Sequence, residues 1–190
     1  MVNGTWRLDV DRGDPMGPYL TVMNCSEMAI EAMEKGEKEV ETIHRLSIKN
    51  NELRIQKKSR VNDVDERYKL NEKIITTISN KKDGSDCKQK STFVTSEDNG
   101  KTSVTIKTIM PTINGLAEVV DARRLETGNV MYQELTITNF DTSVSSTTKR
   151  WFNRIGDYTF NEDAVSGAGS GVATAAAAGL AAATGRADGG

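Results

Sequence analysis

PYLTVMNCSEMAIEAMEK, residues 18–35, does not read like the sequence on either side of it. Tyr19, Val22 and Met23, then Met28, Ala32 and Met33, recur at spacings of three, four and five, which suits two short amphipathic helices. Asn24 followed by Glu27 has the spacing of a capping box, and Ser26 is a second cap candidate. The second helix is therefore expected to begin near these residues and to end at Gly36.

Outward from this segment the pattern changes. Downstream, turn-forming pairs recur at Asn50-Asn51, Asp83-Gly84, Asn99-Gly100, Asn114-Gly115 and Gly128-Asn129, with Asn139-Phe140-Asp141 a weaker last member. Between them lie runs rich in Val, Ile and Thr, such as TIHRLSI, ELRIQ, SVTIKTI and MYQELTI, and such runs joined by Asn-Gly turns predict antiparallel hairpins. The alternation is impure: Leu53 and Ile55 share a face with Lys57, and Val119 shares one with Asp121 and Arg123. An unpaired buried polar group costs about 1–3 kcal/mol, so a dry sandwich core would reject this mixture. A closed barrel around a wet interior accepts it and also removes exposed edges. One early strand, a helix pair and then only hairpins is the order to explain.

Composition narrows the function. A net charge of -2 and no basic run with interleaved aromatics argue against nucleic acid as a partner. MVNGTWRLDVDRGD lacks a basic segment followed by an apolar run, so no secretory signal is expected, and Val172 to Thr184 is too short and Ala-rich to span a bilayer. Cys25 and Cys87 stand far apart, and two free thiols in a reducing compartment, the cytoplasm, are the simplest reading. His44 is the single histidine, so neither a metal site nor a cofactor is expected, and a Cys25–His44 nucleophilic pair has nothing in the sequence to support it. Residues 1–158 read as one domain. Residues 159–190 are dominated by Gly and Ala without an amphipathic stripe and read as a disordered tail.

Near the end of the domain, TTKRWFNR (147–154) places Arg150 and Phe152 on one strand face and Trp151 on the other. Arg150 either faces water or points into a cavity that holds an anion. Arg123 and Arg124 are adjacent, so in a strand one points each way.

The order of elements and several motifs resemble the intracellular lipid-binding proteins, the family of cytosolic fatty acid-binding and retinoid-binding proteins within the calycin superfamily. Gly4-Thr5-Trp6 resembles the opening G-x-W, Tyr68-Lys69-Leu70 the F-x-L strand, and Asp86-Cys87-Lys88-Gln89-Lys90-Ser91 the D-x-K-x-K-S segment. Arg123 stands five residues before the turn glycine Gly128, and Lys149-Arg150-Trp151-Phe152 resembles the last-strand R-x-Y or R-x-F. The likeness runs from about residue 2 to 155; Asn71 replaces the family's glycine after F-x-L, and the hairpin between Gly128 and Arg150 is longer than usual.

The resemblance implies a mainly β fold, a ten-stranded up-and-down antiparallel β-barrel capped by a helix-turn-helix lid. It implies a monomeric, non-enzymatic carrier of a long-chain fatty acid or other small amphiphilic lipid, with transient membrane contact through the lid. The carboxylate would meet Arg123 and Arg150, whose planar forks suit two oxygens. Phe152 would form cavity wall, and Tyr19, Met23, Met28 and Tyr68 would line the lid and its portal. Asp121, two residues before Arg123 on the same face, is placed to neutralise it. The alternatives are a calycin-like enzyme or pigment-processing protein using the same cavity, and a barrel that acts as an interaction module through its tail. Against an enzyme stand one histidine and no phosphate loop.

Overall fold

The computed structural model describes residues 2–60, 63–79, 86–98, 101–112 and 114–158. The tail expected over residues 159–190 and the turns expected at Asp83-Gly84 and Asn99-Gly100 lie outside the described residues. The chain runs β1 (Gly4–Gly13), α1 (Gly17–Val22), α2 (Glu27–Glu39), β2 (Ile43–Lys49), β3 (Glu52–Lys58), β4 (Asp63–Lys69), β5 (Lys73–Ser79), β6 (Asp86–Asp98), β7 (Lys101–Thr112), β8 (Gly115–Thr127), β9 (Val130–Asn139) and β10 (Ser145–Gly156). This is the expected helix pair set after a single strand.

The ten strands form one antiparallel sheet in the order β4-β3-β2-β1-β10-β9-β8-β7-β6-β5, a nearly closed barrel. Each neighbour pair is a hairpin except β1 with β2, which the helix pair connects, and β1 with β10, which brings the two ends of the chain's strand series together. The seam lies between β4 and β5. Leu70 crosses it as an isolated bridge to Phe93, and the Asn71 N–H donates to the Phe93 carbonyl at 2.9 Å. Asn71 sits at φ 59, a left-handed conformation that Asn tolerates, so it can stand where the family has glycine. At the β2–β3 turn Asn50 and Asn51 have φ 52 and 63, the pair of positive angles that a type I′ hairpin requires.

Ser26 caps α2, its hydroxyl accepting from the Ala29 N–H at 3.3 Å. Asn24 is instead left-handed at φ 62, so the Asn24–Glu27 capping box does not form. Nor does the helix end at Gly36, as the sequence suggested; it continues to Glu39. Gly36 is buried within the helix because Arg60 lies over it, and an added Cβ would meet Arg60 Cδ at 3.3 Å. Arg60 also pairs with Glu39 one turn further on.

Two apolar clusters hold the molecule together. Trp6, Leu46, Leu53, Ile55, Phe93, Val104, Met131 and Phe152 fill the barrel, and the Trp6 Nε1–H donates to the Val2 carbonyl at 2.9 Å. Met16, Tyr19 and Leu20 pack onto Ala117 and Ile137, with Met23, Ile30 and Met33 at the margin. Each fully buried large side chain contributes about 1.5–3 kcal/mol. Among the described residues no helix is long and apolar enough to cross a membrane.

Candidate functional site

The inner face of β8, β9 and β10 carries three consecutive cross-strand rows. Asp121, Leu135 and Thr148 form the first, Arg123, Gln133 and Arg150 the second, and Leu125, Met131 and Phe152 the third. Arg123 and Arg150 thus share a row with one strand between them, about 10 Å apart at the usual strand spacing. Both are buried, at 1% and 7% exposure, which settles that each faces inward. Arg124 points out and lies 4.2 Å from the Tyr132 ring centroid, and Trp151 packs outside against Arg12 and Tyr132.

Each inward cation meets a carboxylate. Arg123 donates to both oxygens of Asp121, Nε to Oδ1 at 2.9 Å and Nη2 to Oδ2 at 2.7 Å, and Gln133 Nε2 adds a third bond to Oδ1 at 2.8 Å. Burial alone would raise the Asp121 carboxyl, but the Arg123 charge and hydrogen bonds outweigh it and hold the carboxyl below its ordinary value. Lys57 pairs with Glu66 at 2.8 Å. Arg150 Nη2 donates to Glu37 Oε1 at 2.6 Å, so its partner comes from α2. A buried ion pair is costly to break because the remaining charge stays out of water.

His44 sits against Arg123 and Phe152 and within the field of Arg150. Its ring stacks on Phe152 with centroids 4.6 Å apart, and its Nδ1 lies 3.2 Å from Arg123 Nη1. An arginine only donates, so Nδ1 accepts and the ring proton resides on Nε2. Burial, then the charges of Arg123, Lys57 and Arg150, keep His44 neutral well below its ordinary pKa. With Nδ1 engaged by a guanidinium, the ring is a poor candidate for a general base there.

The residues singled out from the sequence fall into three sets. Arg123, Arg150 and Phe152 converge around His44 on the inner wall. Tyr68 lies in the barrel interior and Tyr19 on the buried face of lid helix α1; burial, with Glu66 and Asp121 adding at Tyr68 and Asp121 at Tyr19, pushes both hydroxyls up. Met23 is half-buried in the lid cluster, whereas Met28 is 72% exposed on the solvent side of α2, so it does not belong to the apolar face expected of it. Sequence reasoning missed Glu37, Gln133 and His44. The parity of His44 with Leu46 was a usable signal for the last.

One cavity adjoins this arrangement and a second lies apart from it. One of about 200 Å³ lies beside Arg150 and Glu37, bounded by Leu8, Arg12, Met16 and Glu34. The other, about 280 Å³, lies at the β4–β5 seam against Ile48, Leu70 and Phe93. Among the described residues no group of three or more His, Cys, Asp or Glu side chains is placed to hold a metal ion. Cys25 is half-buried at the margin of the lid cluster.

No family model and no curated protein matches the sequence. Solved structures do match by shape. A Schistosoma mansoni fatty acid binding protein in complex with arachidonic acid superposes with a TM-score of 0.55 at 14% identity, covering 80% of this chain and 95% of that one. Lipid binding protein 8 of Caenorhabditis elegans gives 0.56 at 14% identity, with 80% and 94% covered. An abundant heat soluble (SAHS) protein from Ramazzottius varieornatus gives 0.56 at 16% identity, with 81% and 95% covered. The chain has the barrel fold of the fatty acid-binding proteins, a fold that these names attach to more than one role.

Proposed function

We propose that this protein is a non-enzymatic carrier that holds a long-chain fatty acid or similar amphiphilic lipid inside the barrel, its carboxylate on Arg150. The observation that carries the reading is the shared inner row of Arg123, Gln133 and Arg150, two buried guanidiniums at the edge of an apolar interior. Arg123 is held by Asp121 within its own strand and contributes mainly its field and its grip on His44. Phe152 and Tyr68 form wall around the chain, and the seam cavity offers it apolar room. Tyr19 and Met23 belong to the cover, and exposed Met28 suits brief contact with a membrane during transfer. Two of the three structural neighbours named above, a fatty acid binding protein and a lipid binding protein, support the same reading. A monomer in the cytoplasm completes the proposal, with Arg12–Trp151 and similar surface pairs as ordinary outer decoration.

The test is titration of a fluorescent fatty acid against wild type and Arg150→Gln. Losing one charge-assisted contact should weaken binding by about 1.5–3 kcal/mol, roughly ten- to a hundredfold. Equal affinities would remove Arg150 from the head-group seat.

A further inference from the structure

Arg150 differs from the other inward cations in where its carboxylate comes from. Asp121 lies on the same strand as Arg123 and is fixed by three hydrogen bonds, so little can displace it. Glu37 makes its 2.6 Å bond to Arg150 from the lid helix α2, with the two side chains 17% and 8% exposed. That helix is lightly seated. Gly36 is its one buried residue, whereas the much shorter α1 buries Tyr19 and Leu20. Its second ionic tie, Glu39 to Arg60, is half-exposed and so contributes little. Beside the marginal packing of Ile30 and Met33 and the Gly17 N–H that donates to Glu34, the Glu37–Arg150 pair is the buried ionic tie between α2 and the barrel, and the cavity beside Leu8 and Glu34 gives a small head group room to reach it.

We propose that Glu37 is a built-in competitor for the lipid head group. Its carboxylate occupies Arg150 in the empty protein, and an incoming carboxylate takes Arg150 by exchange, which frees α2. This rests on the reading of Arg150 as the head-group seat. The guanidinium keeps one carboxylate before and after the exchange, so neither state strands a buried cation, and Glu37 swings to water with its helix. Capture of an anionic lipid and release of the lid helix are then one event. A neutral lipid of the same chain length has nothing to exchange and leaves α2 in place.

The experiment uses the full chain after delipidation, as wild type, Glu37→Gln and Arg150→Gln, with oleate and oleyl alcohol as probes. Gln keeps the size of Glu37 and loses its charge. Glu37→Gln should bind oleate about tenfold tighter, since a charged competitor has been removed, and oleyl alcohol within about twofold of wild type. Hydrogen exchange across residues 27–39 should rise when wild type is saturated with oleate, stay level with oleyl alcohol, and be already raised in unliganded Glu37→Gln. If Arg150→Gln loses oleate affinity while Glu37→Gln gains none, the competitor is overturned and the seat survives. If Arg150→Gln binds oleate as wild type does, the seat fails and the exchange with it. Should Arg150→Gln not fold, the wild-type exchange measurement decides: unchanged or increased protection of α2 on oleate binding overturns the proposal.

Discussion

Acidification across the histidine range should weaken this protein through one side chain. His44 is the chain's single histidine, fully enclosed between Phe152 and Arg123, and it stays neutral in the fold well below its ordinary value of 6.5. In the unfolded chain the same ring takes up a proton as the pH falls through 6.5. Below that point the unfolded state binds one more proton than the folded state, so stability is complete above the unfolded value and is lost as pH drops. The loss is about 1.4 kcal/mol for each pH unit, so moving from about pH 7.5 to about pH 5.5 should cost about 1.4 kcal/mol, or about 3–6 °C in melting temperature. Asp121 and Asp65, whose carboxyls are held below their ordinary values, lose their contributions only at still lower pH, which leaves this window to His44. Urea unfolding followed by circular dichroism at three pH values, on wild type and His44→Gln, measures it. The variant should be flat across the window. An equal slope in both proteins would refute a neutral, buried His44.

Asp121→Asn should destabilise by about 3–5 kcal/mol in urea unfolding, because Arg123 is left buried without its counter-charge, whereas Arg123→Met combined with Asp121→Leu should recover most of that loss. Leu20→Ala, at a site 4% exposed on the buried face of α1, should cost about 2–5 kcal/mol, while Met28→Gln, at a site 72% exposed, should stay within about 0.5 kcal/mol by thermal melts. Gly115→Ala should be strongly destabilising, since φ is +100 and the new Cβ would clash with the Asp141 carboxylate; adding Asp141→Gly should recover only the part due to the clash.

Much of the fold was legible because hairpin chemistry is local. Asn50-Asn51 and Asn114-Gly115 announce their turns by residue type, and the helix pair stands out by its period against strands of period two. The orientation of Arg150 was likewise readable from its parity with Phe152, one row of alternating side chains being enough. Arg123 was harder, because Arg124 beside it satisfies the same pattern; only the shared face with Asp121 distinguishes them, and the structure shows that pair formed. Met28 went astray for a geometric reason. It lies two residues from Ile30, about 200° around the helix, so it faces water when Ile30 and Met33 face the barrel. Glu37 could not have been found at all: it is one of many glutamates on α2, and what sets it apart is a β10 residue more than a hundred positions away. Gly36 looked like a helix end for a sound local reason, and Arg60, folded over it from beyond β3, is what overrides it.

Native mass spectrometry of the delipidated full chain, incubated with excess oleate and then freed of unbound lipid, tests the carrier reading most directly. The expected spectrum shows one oleate retained per chain in wild type and sharply reduced retention in Arg150→Gln. Wild type emerging lipid-free, or carrying a graded series of adducts that Arg150→Gln reproduces, would contradict an internal seat for an anionic lipid.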